Sequence, residues 1–276
     1  MKFSAALLST ALLASAAVAA PSGKGHGLAD RIARRKGTAT TGRKSNPVMK
    51  VDAPAAAADA NKSNIEYSSN WAGAVYEEPP SGTFTAVVGT FTVPVPSSDG
   101  DSFGESAASA WVGIDGDTYG NAILQTGIDF VVDGGEVSYD AWYEWYPDYA
   151  YDFSGIDISA GDVISLKVES SSSSRGTCII ENETTGTVVS KSLTAPESDA
   201  TLGGQNAEWI VEDFEENGSL VNFADFGTVV FTGATAGLST GKTITAGDAS
   251  IIEIESDGQV LTDVSISGST VTVVYA

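Results

Sequence analysis

Two side chains stand out for where they sit. Gln125 lies in Ala122–Phe130 (AILQTGIDF) and Glu212 in Asn206–Glu216 (NAEWIVEDFEE), each inside an apolar stretch. A carboxyl group among apolar neighbours is disfavoured when charged, so its pKa rises and it becomes a candidate general acid or base. Taken alone, Glu212 reads more readily as an ordinary acid in the run EDFEE. The usual catalytic groups are scarce: the chain has one histidine, His26, and one cysteine, Cys178. His26 falls in an N-terminal stretch expected to be removed. The remaining domain then has no Ser-His-Asp triad, no Cys-His dyad and no His-ligated zinc site. Chemistry, if there is any, falls to carboxylates and amides.

The elements that would position these groups are strands. Alternation is frequent: Ile164, Leu166 and Val168 oppose Ser165, Lys167 and Glu169, and Ile252 and Ile254 oppose Glu253 and Glu255. Turn signals such as Asp133-Gly134-Gly135, Asp257-Gly258 and Ser267-Gly268 separate the runs. Many short strands with such turns predict an all-β sandwich or barrel. The period of two assigns faces. Ala110, Val112 and Ile114 oppose Trp111, Gly113 and Asp115; Ala141, Tyr143 and Trp145 oppose Asp140, Trp142, Glu144 and Tyr146. Gln125 shares a face with Ile123, Gly127 and Asp129, and Glu212 with Glu208, Ile210 and Phe214. Faces that mix aromatics with carboxylates suit a substrate groove, and equally a solvated sheet face.

The N-terminus is organised differently. Lys2, the apolar run Phe3–Ala14 and Ala17-Val18-Ala19 read as a secretory signal over residues 1–19, and no stretch is long enough to span a bilayer. Residues 20–66 are low in apolar side chains and rich in bases, and read as a pro-segment ahead of a domain at 67–276. Residues 1–66 hold 10 Lys+Arg and 4 Asp+Glu, against 4 and 32 in residues 67–276, giving net charges of +6 and −28. So acidic a domain repels nucleic acid and suits an acid medium, where its carboxylates protonate. A single cysteine excludes an internal disulfide, and Cys178 reads as a buried small hydrophobe. Asn182-Glu183-Thr184 and Asn217-Gly218-Ser219 match the glycosylation triplet.

Seven ordered segments carry a family resemblance: SNWAGAV (69–75), GTFTVPVP (89–96), SAWVGIDGDT (109–118), ILQTGIDF (123–130), YDAWYEWYPD (139–148), DFSGIDISAGD (152–162) and NAEWIVEDFEE (206–216). All five tryptophans fall within them. With these the chain resembles the eqolisins, the fungal glutamic peptidases. The resemblance implies a sandwich of two large antiparallel sheets, of jelly-roll or concanavalin-like form. It implies a catalytic dyad of Gln125 and Glu212 in a groove on one sheet, with Trp111, Asp115, Asp140, Trp142, Glu144 and Tyr146 around it as substrate-binding residues. It also implies secretion with a basic pro-segment and work in acid; the charge split adds the expectation that the segment is held on the domain electrostatically as the enzyme's own inhibitor and loosens when the carboxylates protonate. One departure is visible: characterised relatives place a cysteine after GIDGDT, where this chain has Tyr119.

The implied reaction is hydrolysis of peptide bonds in loose protein chains by a monomer, without cofactor, metal, nucleic acid or membrane. Glu212 activates the water, and the Gln125 amide orients it and donates to the oxyanion, a role worth about 3–4 kcal/mol for a comparable donor. Two other readings stand beside it. A β-sandwich glycoside hydrolase would use Glu144 and Glu212 as its carboxylate pair. A carbohydrate-binding module would use the aromatics alone.

Overall fold

The structure, a computed structural model, describes residues 42–54, 65–98 and 104–276. The expected signal at 1–19, His26 and the remainder of the basic segment lie outside the described residues.

Two large sheets pack face to face. The smaller has eight strands, in the spatial order 187–194, 175–182, 163–172, 84–92, 228–238, 270–275 and 262–267, with 243–245 beside 228–238. The larger has eleven. Its central run is 250–256, 71–76, 207–212, 106–114, 123–133 and 136–146. The expected sandwich is therefore present, and nearly every pairing is antiparallel. Two short pairings are parallel: Ile65–Ser68 on Ile251–Ile254, and Asn222–Phe223 on Ser106–Ala107. Each joins segments far apart in sequence, so no hairpin fixes their relative direction. The strand Ile65–Ser68 crosses the position where the sequence suggests the domain begins.

The alternation holds in the packing. Ala110, Val112, Ile114, Leu124, Ile128, Ala141, Trp145, Trp209 and Val211 point between the sheets, and Ile164, Leu166, Val168 and Ile180 meet them from the other side. Phe91 stacks edge-on with Phe130 and Phe231 at 6.1 and 5.5 Å. Each such side chain contributes about 1.5–3 kcal/mol on burial. The interior indoles are satisfied: Trp145 donates to the Ala200 carbonyl at 2.9 Å and Trp209 to Val88 at 2.7 Å. Cys178 is buried there, its thiol 3.3 Å from the Gln125 carbonyl, and burial pushes its pKa up. The Asp133–Glu136 hairpin turns through Gly134 and Gly135, both at positive φ, which favours glycine.

Asn182 cannot carry a glycan in this fold. It is buried, and its amide nitrogen donates to the Asp157 carbonyl and to Asp162.

The other face of the larger sheet is crossed by part of the basic segment. Arg43–Lys44 pairs with Glu215–Glu216, and Lys50–Val51 pairs with Tyr67–Ser68. Between these two anchors residues 45–49 lie over the sheet as a strap.

Candidate active site

Register lines up three rows of side chains under the strap. Glu144, Gln125, Gly113, Glu208 and Val75 stand side by side. The next row is Trp142, Gly127, Trp111, Ile210 and Gly73, and the third is Asp140, Asp129, Ser109, Glu212 and Trp71. Gln125 and Glu212 thus come from strands separated by one other, 106–114, and Trp111 on that strand lies between their rows.

Two glycines make room for Trp111. A Cβ on Gly127 would lie 2.5 Å from the Trp111 Cβ and 2.4 Å from the Ala110 carbonyl. A Cβ on Gly113 would lie 2.8 Å from the Trp111 ring and 2.5 Å from Glu208 Oε1. The indole, with Trp71 edge-on at 4.9 Å, donates from Nε1 to Glu212 Oε2 at 2.9 Å. Trp142 donates to Ser109 Oγ at 3.1 Å.

Burial governs the acids. It pushes the Glu212 carboxyl up to about 7, against weaker opposing effects from Arg43, the Ser45 hydroxyl, and the Trp111 and Trp71 indoles. Of these only Trp111 meets strict hydrogen-bond geometry, and Glu212 Oε1 has no partner that does. Burial likewise holds Glu144 well above the carboxylate range, opposed first by Arg43. Glu208 is raised by burial and then by Asp115 and Asp117, and neither of its oxygens has a hydrogen-bond partner. Asp213 is pushed up to about 8 by burial and by Glu212.

The strap meets these groups directly. The Ser45 carbonyl accepts from Gln125 Nε2 at 3.3 Å, and its amide donates to Glu144 Oε2 at 3.1 Å. Arg43 is fully buried: Nε pairs with Asp129 at 2.9 Å and Nη1 with Glu144 at 3.4 Å. Its guanidinium lies between the rings of Trp142, 3.8 Å from the centroid, and Phe214, at 4.4 Å. Lys44 lies over Tyr146 at 4.9 Å. The Asn46 carbonyl accepts from Trp71 Nε1 at 3.1 Å, and Val48 packs on the apolar floor of Trp71, Trp111 and Ile210.

Of the residues expected around the groove, Trp111, Trp142, Glu144 and Tyr146 do gather there with Gln125 and Glu212. Asp140 lies in the Glu212 row at its far end. Asp115 is placed elsewhere: buried, at positive φ past the end of strand 106–114, it accepts the amides of Gly203, Gly204, Gln205 and Asn206. It braces the loop leading into strand 207–212 rather than lining the groove. The residues that sequence reasoning did not nominate are Trp71, Asp129 and Phe214, and from the strap Arg43, Ser45 and Asn46. Asp129 and Phe214 share the nominated faces by alternation, which was signal enough to include them. The strap residues carry no periodic signal. Among the described residues no group of His, Cys, Asp and Glu is arranged to hold a metal ion.

The groove thus sets an amide and a buried carboxyl on one sheet of a β-sandwich, and the class of protein it belongs to is a peptidase by its relatives. Residues 69–275 match the Peptidase A4 family. Over the full length of both chains the sequence is 48% identical to aspergillopepsin-2 of Aspergillus niger and 44% identical to scytalidopepsin B of Scytalidium lignicola. Among solved structures it is similar to scytalido-glutamic peptidase with a transition state analog inhibitor, with TM-score 0.68 and 44% identity over 75% of this chain and 98% of that one. It is also similar to aspergilloglutamic peptidase from Aspergillus niger, with TM-score 0.59 and 57% identity over 62% and 99%. The chain belongs to the Peptidase A4 family, the eqolisins.

Proposed function

We propose that this protein is a secreted acid endopeptidase of the glutamic class, made as a precursor whose basic segment closes its own groove. The observation that carries the reading is the strap: a peptide backbone lies across the sheet with the Ser45 carbonyl on the Gln125 amide, beside Glu212. A substrate backbone on the same path would place its scissile carbonyl on the same amide.

The strap also sets the protonation of Glu212. Burial is what lifts its pKa, so departure of the strap returns water to the carboxyl and lowers it. The exposed carboxylate takes a proton from water as that water attacks, then passes the proton to the leaving amine. Gln125 Nε2 donates to the oxygen that becomes negative. Trp111 holds Glu212 in place through its indole N–H.

Gln125→Ala and Glu212→Ala each abolish casein cleavage at about pH 3 while circular dichroism shows the fold retained. Wild-type-like activity in either variant sinks the dyad assignment. Release of reducing sugar from a polysaccharide would instead favour the glycoside-hydrolase reading.

A further inference from the structure

The strap presents one particular bond. Of the carbonyls whose partners are known in Gly42–Val51, only that of Ser45 meets the dyad, through Gln125 Nε2 at 3.3 Å. The Arg43 carbonyl accepts from Ala150, that of Asn46 from Trp71, and that of Pro47 from Asn70. The chain is held on both sides of Ser45. On the N-terminal side Arg43 is paired with Asp129 and Glu144. On the C-terminal side Asn46 Nδ2 donates to Glu215 at 3.1 Å, the Val48 amide to Gly116 at 3.0 Å and the Met49 amide to Asn70 Oδ1 at 2.8 Å. A peptide bond immobilised with its carbonyl on the oxyanion donor, next to the general base, is a bound substrate in geometry.

We propose that Ser45–Asn46 is the bond the precursor cuts first, in cis, on activation. The inference rests on the Gln125–Glu212 reading above. In the step, water adds its oxygen to the Ser45 carbonyl carbon, while Glu212, which carries a proton under the strap, gives that proton to the carbonyl oxygen from one oxygen and takes the water's proton on the other. The C–N bond then breaks and the proton goes to the Asn46 nitrogen. The products are a Ser45 carboxyl and an Asn46 amine. The following bond, Asn46–Pro47, has a tertiary amide nitrogen and its own carbonyl is turned to Trp71, so it is not the bond offered. After the cut, the N-terminal piece is held by Arg43, Lys44 and a two-residue strand pairing. The C-terminal piece stays joined to the domain through residues 52–64 and leaves only after a later cut.

The full precursor, purified at neutral pH and shifted to about pH 4, is followed by intact mass and N-terminal sequencing over a tenfold range of concentration, with casein hydrolysis measured in parallel. The expected result is a first new N-terminus at Asn46, formed at a rate independent of concentration and absent in Glu212→Gln. Asn46→Pro, which replaces the leaving amine with an imide nitrogen, slows loss of the intact precursor by about tenfold or more. If casein is hydrolysed while Ser45–Asn46 stays whole, or the cut accelerates with concentration, or Asn46→Pro is processed at the wild-type rate, this inference fails and the dyad stands. If neither casein nor the precursor is cut, the dyad reading fails and takes the inference with it.

Discussion

Arg43 is the point at which the basic segment is held most firmly, and its removal has a calculable effect. The guanidinium is fully buried between two aromatic rings and paired with Asp129 and Glu144. Deleting one partner of a buried ion pair costs about 3–5 kcal/mol, because charge is left uncompensated. Here the low end applies, since the two acids can take up protons or water once Arg43 is gone. About 3 kcal/mol, at 1.4 kcal/mol per tenfold, is a loss of about a hundredfold in binding. The assay is competitive inhibition of the processed enzyme by a synthetic peptide of residues 42–51, compared with the same peptide carrying Arg43→Met. At about pH 6 the two inhibition constants differ by about a hundredfold. The difference shrinks as pH falls, because protonation of Glu144 weakens what Arg43 pairs with, while the stacking on Trp142 and Phe214 persists. A ratio near one at pH 6, or one that does not change down to pH 3, would show that Arg43 does not hold the strap by these contacts.

Glu208 stands in the Gln125 row and Glu212 does not, so the two acids are separable by substitution. Glu208→Gln keeps kcat/KM within about threefold, whereas Glu212→Gln loses about a thousandfold or more, as expected when a general base is removed; equal losses would overturn the assignment. Asp115→Ala removes the acceptor for four amides and lowers stability by about 3 kcal/mol or more, or about 6–12 °C in Tm for a domain of this size. Its kcat on a short peptide, measured below the new Tm, stays within about threefold; a selective loss of kcat would return Asp115 to the groove. The full chain is more stable near pH 4 than near pH 8. Glu212 moves from an ordinary 4.5 to about 7 on folding and Asp213 from 3.8 to about 8. Groups with raised folded values contribute stability below their unfolded pKa and lose it as pH rises through the folded one. For Glu212 this is about 3 kcal/mol, at 1.36 kcal/mol per pKa unit. Urea midpoints that rise from pH 4 to 8, or a Glu212→Gln variant with an unchanged slope, would contradict this.

Much of the architecture was legible because a strand's period of two is a strict rule. Within each strand it separates Trp111 from Val112, Trp142 from Trp145, Gln125 from Leu124 and Glu212 from Trp209, and the two larger hydrophobic clusters divide along that line. Asp115 shows where the rule stops. Alternation places it on the groove face, but the strand ends at Ile114, and the next residue turns to positive φ and swings its carboxyl onto a loop. Asn182 shows the complementary limit: a glycosylation triplet says nothing of burial. Pairing register between distant strands was not legible either. Nothing in NAEWIVE shows that Glu208, and not Glu212, stands across from Gly113 and Gln125. The strap was the least visible, because Gly42–Val51 has no hydrophobic period and takes its shape from the groove it fills.

The division of charge between the two halves of the chain acquires a physical meaning from these contacts. A net +6 against −28 invites the idea of a diffuse attraction between segment and domain. Such a field is screened within about 8 Å at physiological salt. The structure instead spends few charges, and spends them where water is excluded. Arg43 does so, reaching Asp129 and Glu144 with no exposure on either side, whereas Lys50, at the far anchor, joins Glu66 and Asp117 from the surface. Lys44 lies on aromatic rings. Acids that must be buried to recognise the strap are the same acids whose protonation is made easy by burial, since desolvation raises their pKa. Glu212 holds its proton more tightly under the strap than in an open groove, so at this group acid favours the closed form as well as the sandwich beneath it, and opening falls to the cutting of the strap rather than to a fall in pH alone.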